Sequence, residues 1–177
     1  MIPLYILGLL QRFGSQHGYQ IKKIIAEQLS DFTQIKLPTI YYHLEKMESD
    51  GFLSSNIEKT DSRPEKTIYA ITDKGIEAYR SKLNKLLEFE YRPVFDSDGV
   101  FYFSDQYYVE EIIEKLTIYV KKLKDKLVVL KKHRNETLPY VPMDRREMVK
   151  IIFSHHECHY QAELGWAEEA LRNLKER

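Results

Sequence analysis

The sequence predicts a mainly α protein with one small β-hairpin, and three observations carry that prediction. A run from Leu37 to Gly51 places apolar residues at Ile40, Leu44 and Met47 with polar residues between them, the spacing of one helical face. Two β-rich runs follow, separated by a charged turn. The second half then holds two long stretches in which apolar residues recur at threes and fours, the period of packed helices.

Leu4, Leu7 and Leu10 or Gln11 set the stripe of a first helix. Gly14 and Gly18 bracket a turn, and Tyr19, Ile21, Ile24, Ile25 and Leu29 form a second helix expected to end near Ser30 and Asp31. The third helix runs from Pro38 to Ser49. Pro38 suits a first turn, where a missing N–H costs nothing, and Gly51 supplies the left-handed residue that commonly ends a helix. Its apolar stripe faces a core, while Thr39, Tyr42, His43 and Lys46 lie on other faces, so this short helix is built to present side chains.

Phe52 to Ile57 and Lys66 to Thr72 are strand-length and β-rich. In the second, Ile68 and Ala70 alternate with Thr67, Tyr69 and Ile71. The intervening Glu58 to Glu65 is polar and contains Pro64, a residue expected in the turn, which leaves Arg63 and Lys66 at or near the tip. From Asp73, the expected N-cap, Ile76, Tyr79, Leu83, Leu86 and Leu87 continue a fourth helix toward Phe89.

Residues 89–104 are aromatic-rich with Pro93 and Gly99, and read as an irregular or partly helical connection packed on the core. Beyond Asp105, the apolar positions Val109, Ile112, Leu116, Tyr119, Leu123, Leu127 and Leu130 define a long helix reaching about Arg134. A second long helix follows Pro142, with Asp144 near its start and a seam of Val149, Ile152, Phe153, Tyr160, Leu164, Ala167, Leu171 and Leu174. The two form an antiparallel hairpin with more apolar face than one hairpin can hide. Homodimerisation covers that face economically; the alternative is that it packs back on the N-terminal half. The expected domains are a winged helix-turn-helix with its linking helix over 1–88 and a helical dimerisation domain over 89–177.

At 177 residues and 43% hydrophobic, the chain can bury a real core. Its 27 basic and 27 acidic residues cancel, so nucleic acid must be drawn by a local patch rather than by the global field. Cys158 is the only cysteine, which excludes an intrachain disulfide or a multi-cysteine zinc site and fits a reducing, cytoplasmic setting. The apolar N-terminal run reaches Gln11 and Arg12 before a membrane-spanning length, so it is expected as a buried helix, with no membrane association.

A helix presented between a core and a hairpin is the geometry of a DNA reader, in which phosphate contacts position and base edges specify. Thr39 and Tyr41 or Tyr42 reach phosphate oxygens, and His43 and Lys46 project toward bases or backbone. Arg63 and Lys66 track the adjacent minor groove from the wing. The competing reading of each is bland: an interior tyrosine, a solvated lysine, or Arg63 paired with Glu65.

Ser154 to His159 brings His155 and His159 one turn apart, a spacing that two metal ligands can use. The run is not a His-Glu-x-x-His motif, and a third ligand such as Cys158 or Glu163 has to come from another face or subunit. Histidines edging an interface explain it as well, so neither metal nor cofactor is expected. Cys158 is a conceivable thiol sensor if exposed. Trp166, with the aromatic residues of the connection, is a candidate wall for an effector pocket, because a planar ligand gains from stacking. No phosphate-cradling glycine loop, nucleophile constellation or carboxylate pair supports an enzyme.

With that order of elements, the chain resembles the PadR-type transcriptional regulators. The resemblance runs through Leu4-Tyr-Ile-Leu-Gly-Leu-Leu10, His17-Gly-Tyr-Gln-Ile21, Thr39-Ile-Tyr41 with Leu44 and Met47, and Asp50-Gly-Phe-Leu53. It continues through Arg63 to Tyr69 and Ile71-Thr-Asp-Lys-Gly75, and is fainter from Tyr160 to Ala170. It implies a homodimeric winged helix-turn-helix repressor of transcription, with a small-molecule effector at the junction of the two domains in some members; the two-fold symmetry of such a dimer then predicts a near-palindromic DNA operator. The stretch from Phe89 to Tyr108 carries no ligand residue over from the family. The rival class is a winged-helix protein-interaction module without operator binding, for which zero net charge is the best support.

Overall fold

The computed structural model describes residues 1–29, 33–60, 63–91 and 93–176, with the side chains of residues 59, 60, 63 and 64 left aside. The chain forms two compact units, Met1–Arg92 and Pro93–Arg177. The first contains α1 (Ile2–Phe13), α2 (Gly18–Gln28), α3 (Leu37–Ser49), the strands β1 (Leu53–Thr60) and β2 (Arg63–Ile71), and α4 (Asp73–Leu86).

One apolar cluster holds this unit together. Ile6, Leu7 and Leu10 of α1, Ile21 of α2, and Ile40 and Leu44 of α3 are almost wholly buried in it. Each such side chain contributes about 1.5–3 kcal/mol relative to exposure. Gly18 proves to be the first residue of α2 rather than part of the turn, and His17 caps the helix, its Nδ1 accepting from the Gln20 N–H at 3.2 Å. The expected end of α2 at Ser30 and Asp31 lies outside the described residues, and the helix as described stops at Gln28.

β1 and β2 form an antiparallel ladder from Leu53↔Ile71 to Glu58↔Lys66, with a register shift before Thr60↔Arg63. Both strands run further than the sequence indicates, and Pro64 lies within β2 rather than in the turn. A two-stranded ladder has only edge strands, so a residue lacking an N–H is tolerated beside a bulge. Gln16 adds an isolated bridge to the opposite edge of β2, exchanging backbone hydrogen bonds of 3.0 and 2.9 Å with Tyr69.

The junction from α3 into the wing is tightly bonded. Gly51 adopts φ +75°, and the Phe52 N–H donates to the Met47 carbonyl at 2.8 Å. Thr72, not Asp73, is the N-cap of α4: its hydroxyl accepts from the Gly75 N–H at 3.1 Å and donates to the Gly51 carbonyl at 2.8 Å. Asp73 opens the helix instead, where its charge favours the N-terminal dipole. The helix stops at Leu86, short of Phe89, whose φ of 46° is outside the helical range.

The second unit begins with an irregular stretch containing α5 (Asp98–Tyr102) and a 3₁₀ turn at Ser104–Gln106. Two long helices follow, α6 (Val109–Thr137) and α7 (Met143–Lys175), joined through a 3₁₀ turn at Leu138–Tyr140. They pack antiparallel along Ile112, Leu116, Val120, Leu123, Leu127 and Leu130 of α6. Val120 takes the seam position assigned to Tyr119 in the sequence pattern, and Tyr119 turns its hydroxyl outward to Glu163 of α7 at 2.9 Å. Glu157 clamps the loop end, accepting from Arg134 at 2.8 Å with Lys131 at 3.3 Å. Among the described residues no helix is long and apolar enough to cross a membrane.

Candidate nucleic-acid interface and ligand cavity

α3 buries Ile40, Leu44 and Met47 on one side, and that packing fixes which side chains face out. Tyr42 and Lys46 are exposed, the former at 59%, while Thr39 and His43 are half-buried. The Tyr42 and His43 rings meet edge-on at 5.1 Å. Burial, the Lys46 ammonium and the terminal α-amino group together hold the His43 imidazole below its ordinary value. A neutral imidazole both donates and accepts hydrogen bonds, as reading a base edge requires.

Tyr41 has a double position. Its phenol edge is exposed, but its ring lies over Gly18, where an added Cβ would come within 2.6 Å of Cε1. The ring therefore occupies space that only glycine leaves at the start of α2. Glu48, by contrast, turns away from the open face and accepts from the Ser55 hydroxyl, tying α3 to β1. Burial, followed by the Glu48 and Glu45 carboxylates, pushes the Tyr69 phenol up.

On the wing, Lys66 is exposed opposite Glu58. The Arg63 backbone pairs with Thr60, immediately beside residues 61–62. The Arg63 side chain and those two residues lie outside the description. The structure thus brings Thr39, Tyr41, Tyr42, His43 and Lys46 together on one helix and sets Lys66 on the adjoining hairpin.

The second unit contains a cavity of about 910 Å³ between the stretch around α5 and the two long helices. Trp166, 36% exposed, lies on its wall and meets Phe101 edge-on at 5.7 Å. Tyr119 and Glu163 form another part of the wall. Burial, then the hydrogen bond to Glu163, pushes the Tyr119 phenol up to about 12. The sequence marks Trp166 and the aromatic residues of the connection, Phe101 among them, but not Tyr119 or Glu163, which meet only when the hairpin closes.

His155 and His159 do come together, with their Nε2 atoms 3.1 Å apart on the exposed side of α7. Glu163 is engaged by Tyr119 and Cys158 is exposed. Among the described residues no group of three or more His, Cys, Asp or Glu side chains is arranged to hold a metal ion.

Residues 6–81, from within α1 into α4, match the Transcriptional regulator PadR-like family. Over 70 residues the chain is 36% identical to the negative transcriptional regulator PadR of Bacillus subtilis (strain 168), a stretch covering 40% of this chain and 38% of that relative. The sequence match thus spans well under half of the relative's length.

Likeness of fold extends much further. The crystal structure of Bacillus subtilis PadR in complex with operator DNA superposes with a TM-score of 0.75 at 23% identity, over 97% of this chain and 98% of that one. The same protein in complex with p-coumaric acid gives 0.72 at 22%, over 99% of each. The Vibrio cholerae virulence activator AphA gives 0.78 at 17%, over 99% and 98%. The sequence match to the PadR-like family of transcriptional regulators thus runs through the helix-turn-helix and wing, residues 6–81, and the likeness of fold extends along nearly the whole length.

Proposed function

We propose that the chain is a sequence-specific, homodimeric DNA-binding repressor that acts in the cytoplasm and is released from a near-palindromic operator by a small-molecule effector. The observation that carries the DNA reading is α3 itself: a helix anchored by Ile40, Leu44 and Met47 whose opposite side offers Thr39, Tyr42, His43 and Lys46, with a hairpin directly after it. In this reading α3 enters the major groove. Thr39 and Tyr41 or Tyr42 bond phosphate oxygens, His43 and Lys46 reach base edges or backbone, and Arg63 and Lys66 follow the neighbouring minor groove. The operator complex of Bacillus subtilis PadR supports this assignment by likeness of fold.

Exposed apolar side chains on both long helices, Val128 and Val129 on α6 and Met148 and Ile151 on α7, support a second copy of the chain as their cover. Two-fold symmetry then requires two half-sites in the operator. Effector control is supported by the cavity beside Trp166 and by the p-coumaric acid complex of the Bacillus subtilis relative. An effector releases DNA only by binding the two states of the dimer unequally.

The test is a salt titration of binding to the DNA upstream of the chain's own gene, against a scrambled duplex of equal length. Tight, sequence-preferring and strongly salt-dependent binding is the expected outcome. The zero net charge favours one rival, a winged-helix protein-interaction module. That rival gains if genome-wide selection returns no preferred duplex. The triple substitution Lys46→Ala, Arg63→Ala and Lys66→Ala separates the two, because it should weaken operator binding and flatten its salt dependence, by about one unit of slope for each of these cations that neutralises a phosphate. Under the module reading the substitutions affect only the binding of a protein partner.

A further inference from the structure

We propose that the cavity beside Trp166 takes a lipophilic organic cation; the proposal rests on the effector reading above and gives that effector its chemical class. At about 910 Å³ the cavity is large enough for a drug-sized molecule. Phe101, Tyr119 and Trp166 supply ring surfaces, whose faces carry the negative part of the aromatic quadrupole and attract positive charge.

The ionised groups on the wall have the same preference. Asp96, Glu111, Glu114 and Glu163 contribute carboxylates, and Lys115 contributes an ammonium. The Lys115 Nζ lies 2.9 Å from Glu114 Oε1, so its charge is already answered by its neighbour. Among the described residues neither arginine nor histidine lines the cavity, so none of them offers a fork to a ligand carboxylate. An aryl carboxylate would meet three carboxylates without a counter-charge. A cation of the same shape meets three partners beside the ring faces of Phe101, Tyr119 and Trp166.

Trp166 is the only tryptophan in the chain, so intrinsic fluorescence reports on this wall. The full-length protein is titrated with tetraphenylphosphonium and with tetraphenylborate, ions of matched shape and opposite charge. Saturable quenching by the phosphonium is expected, with an affinity at least about tenfold above that for the borate. Glu163→Gln and Glu111→Gln should each weaken it by about fivefold, as loss of a partly exposed charge pair does. Glu111→Gln, in the exposed first turn of α6, keeps the test valid if Glu163→Gln loosens the hairpin.

Equal or tighter binding of the borate overturns the proposal, and if the borate also releases operator DNA, effector control survives without the cation. Absence of quenching by both ions in a dimeric protein overturns it too, because the second copy then fills the cavity. Phosphonium binding that leaves operator affinity unchanged supports the ligand class and removes only the release reading on which it was built.

Discussion

At Gly18 a methyl group would sit 2.6 Å from Tyr41 Cε1 and 2.8 Å from Cζ, so glycine at the start of α2 and tyrosine on α3 are one packing decision. Gly18→Ala should lower stability by about 1–2 kcal/mol, the cost of overpacking a contact that can partly yield. In a Tyr41→Ala background the clash is gone, and the better helix former should be neutral or stabilising by up to about 1 kcal/mol. Thermal melts of the four proteins in the cycle measure the coupling directly. The His17-Gly18-Tyr19 motif is visible in the sequence, but its reasons are not: the cap from His17 and the space under Tyr41 are contacts that spacing alone does not encode. His43 gives a pH signature at the same scale. Because its pKa is lowered in the folded state, the unfolded chain binds more protons over the interval just below 6.5. Its contribution to stability is therefore complete above that value and fades as the pH falls. Urea unfolding at about pH 7.5 and about pH 5 should show a larger loss for the parent chain than for His43→Gln.

Gly75 and Tyr119 carry the corresponding arguments for whole elements. A Cβ at Gly75 would lie 2.2 Å from the Phe52 carbonyl oxygen. That oxygen is held in place by the Thr72 N–H at 3.1 Å, so the backbone cannot retreat cheaply. Gly75→Ala should cost about 2–4 kcal/mol in urea unfolding, because it pushes the start of α4 away from the Phe52 backbone at the junction of α3 and β1. On the long hairpin, the Tyr119 phenol is held protonated up to about 12 while an unfolded tyrosine ionises near 10. Its stabilising effect is full below 10 and is lost as the pH rises from there through 12. Tyr119→Phe should flatten the decline in stability over that alkaline interval. Helix positions were legible because a buried stripe repeats every three or four residues whatever it packs against. The ends were less so: Thr72 and Asp73 are both good N-caps, and only the hydrogen bonds to Gly75 and Gly51 decide for Thr72. The strands reach further than composition implies because ladder bonds carry polar residues such as Glu58 and Lys66 as readily as apolar ones.

For the molecule as a whole, what the sequence reveals depends on how far apart the contributing residues lie. The outward side of α3 is continuous in sequence, so the candidate DNA surface could be read from a single helical wheel. The cavity joins Phe101, Tyr119 and Trp166 from three separate elements; the sequence points to Trp166 and the aromatics of the connection but not to Tyr119. The proposed homodimer falls between these cases, since the pattern shows surplus apolar surface without showing its cover. Val128 and Val129 are 67% and 59% exposed, midway along a helix whose neighbouring Leu127 and Leu130 are buried. Ile118 and Val129 fall on one side of α6 about three turns apart with Lys122 and Asp125 between them, so that side is a mixed strip, apolar at its ends and charged in its middle. If a second copy covers that strip, Val129→Glu with Ile151→Glu forces charges into the apolar part of the interface, and sedimentation should change from dimer to monomer. Operator binding should then weaken by about 10²–10⁴-fold, because each half-site must be engaged without the effective concentration that linkage to a second head provides. The isolated monomer should still prefer a half-site over a scrambled duplex, since α3 and the wing belong to the other unit. A double variant that stays dimeric would place the interface elsewhere on the chain. A monomer that bound the full operator as tightly as the parent would show that the two heads do not act together, and near-palindromy would no longer be required of the DNA.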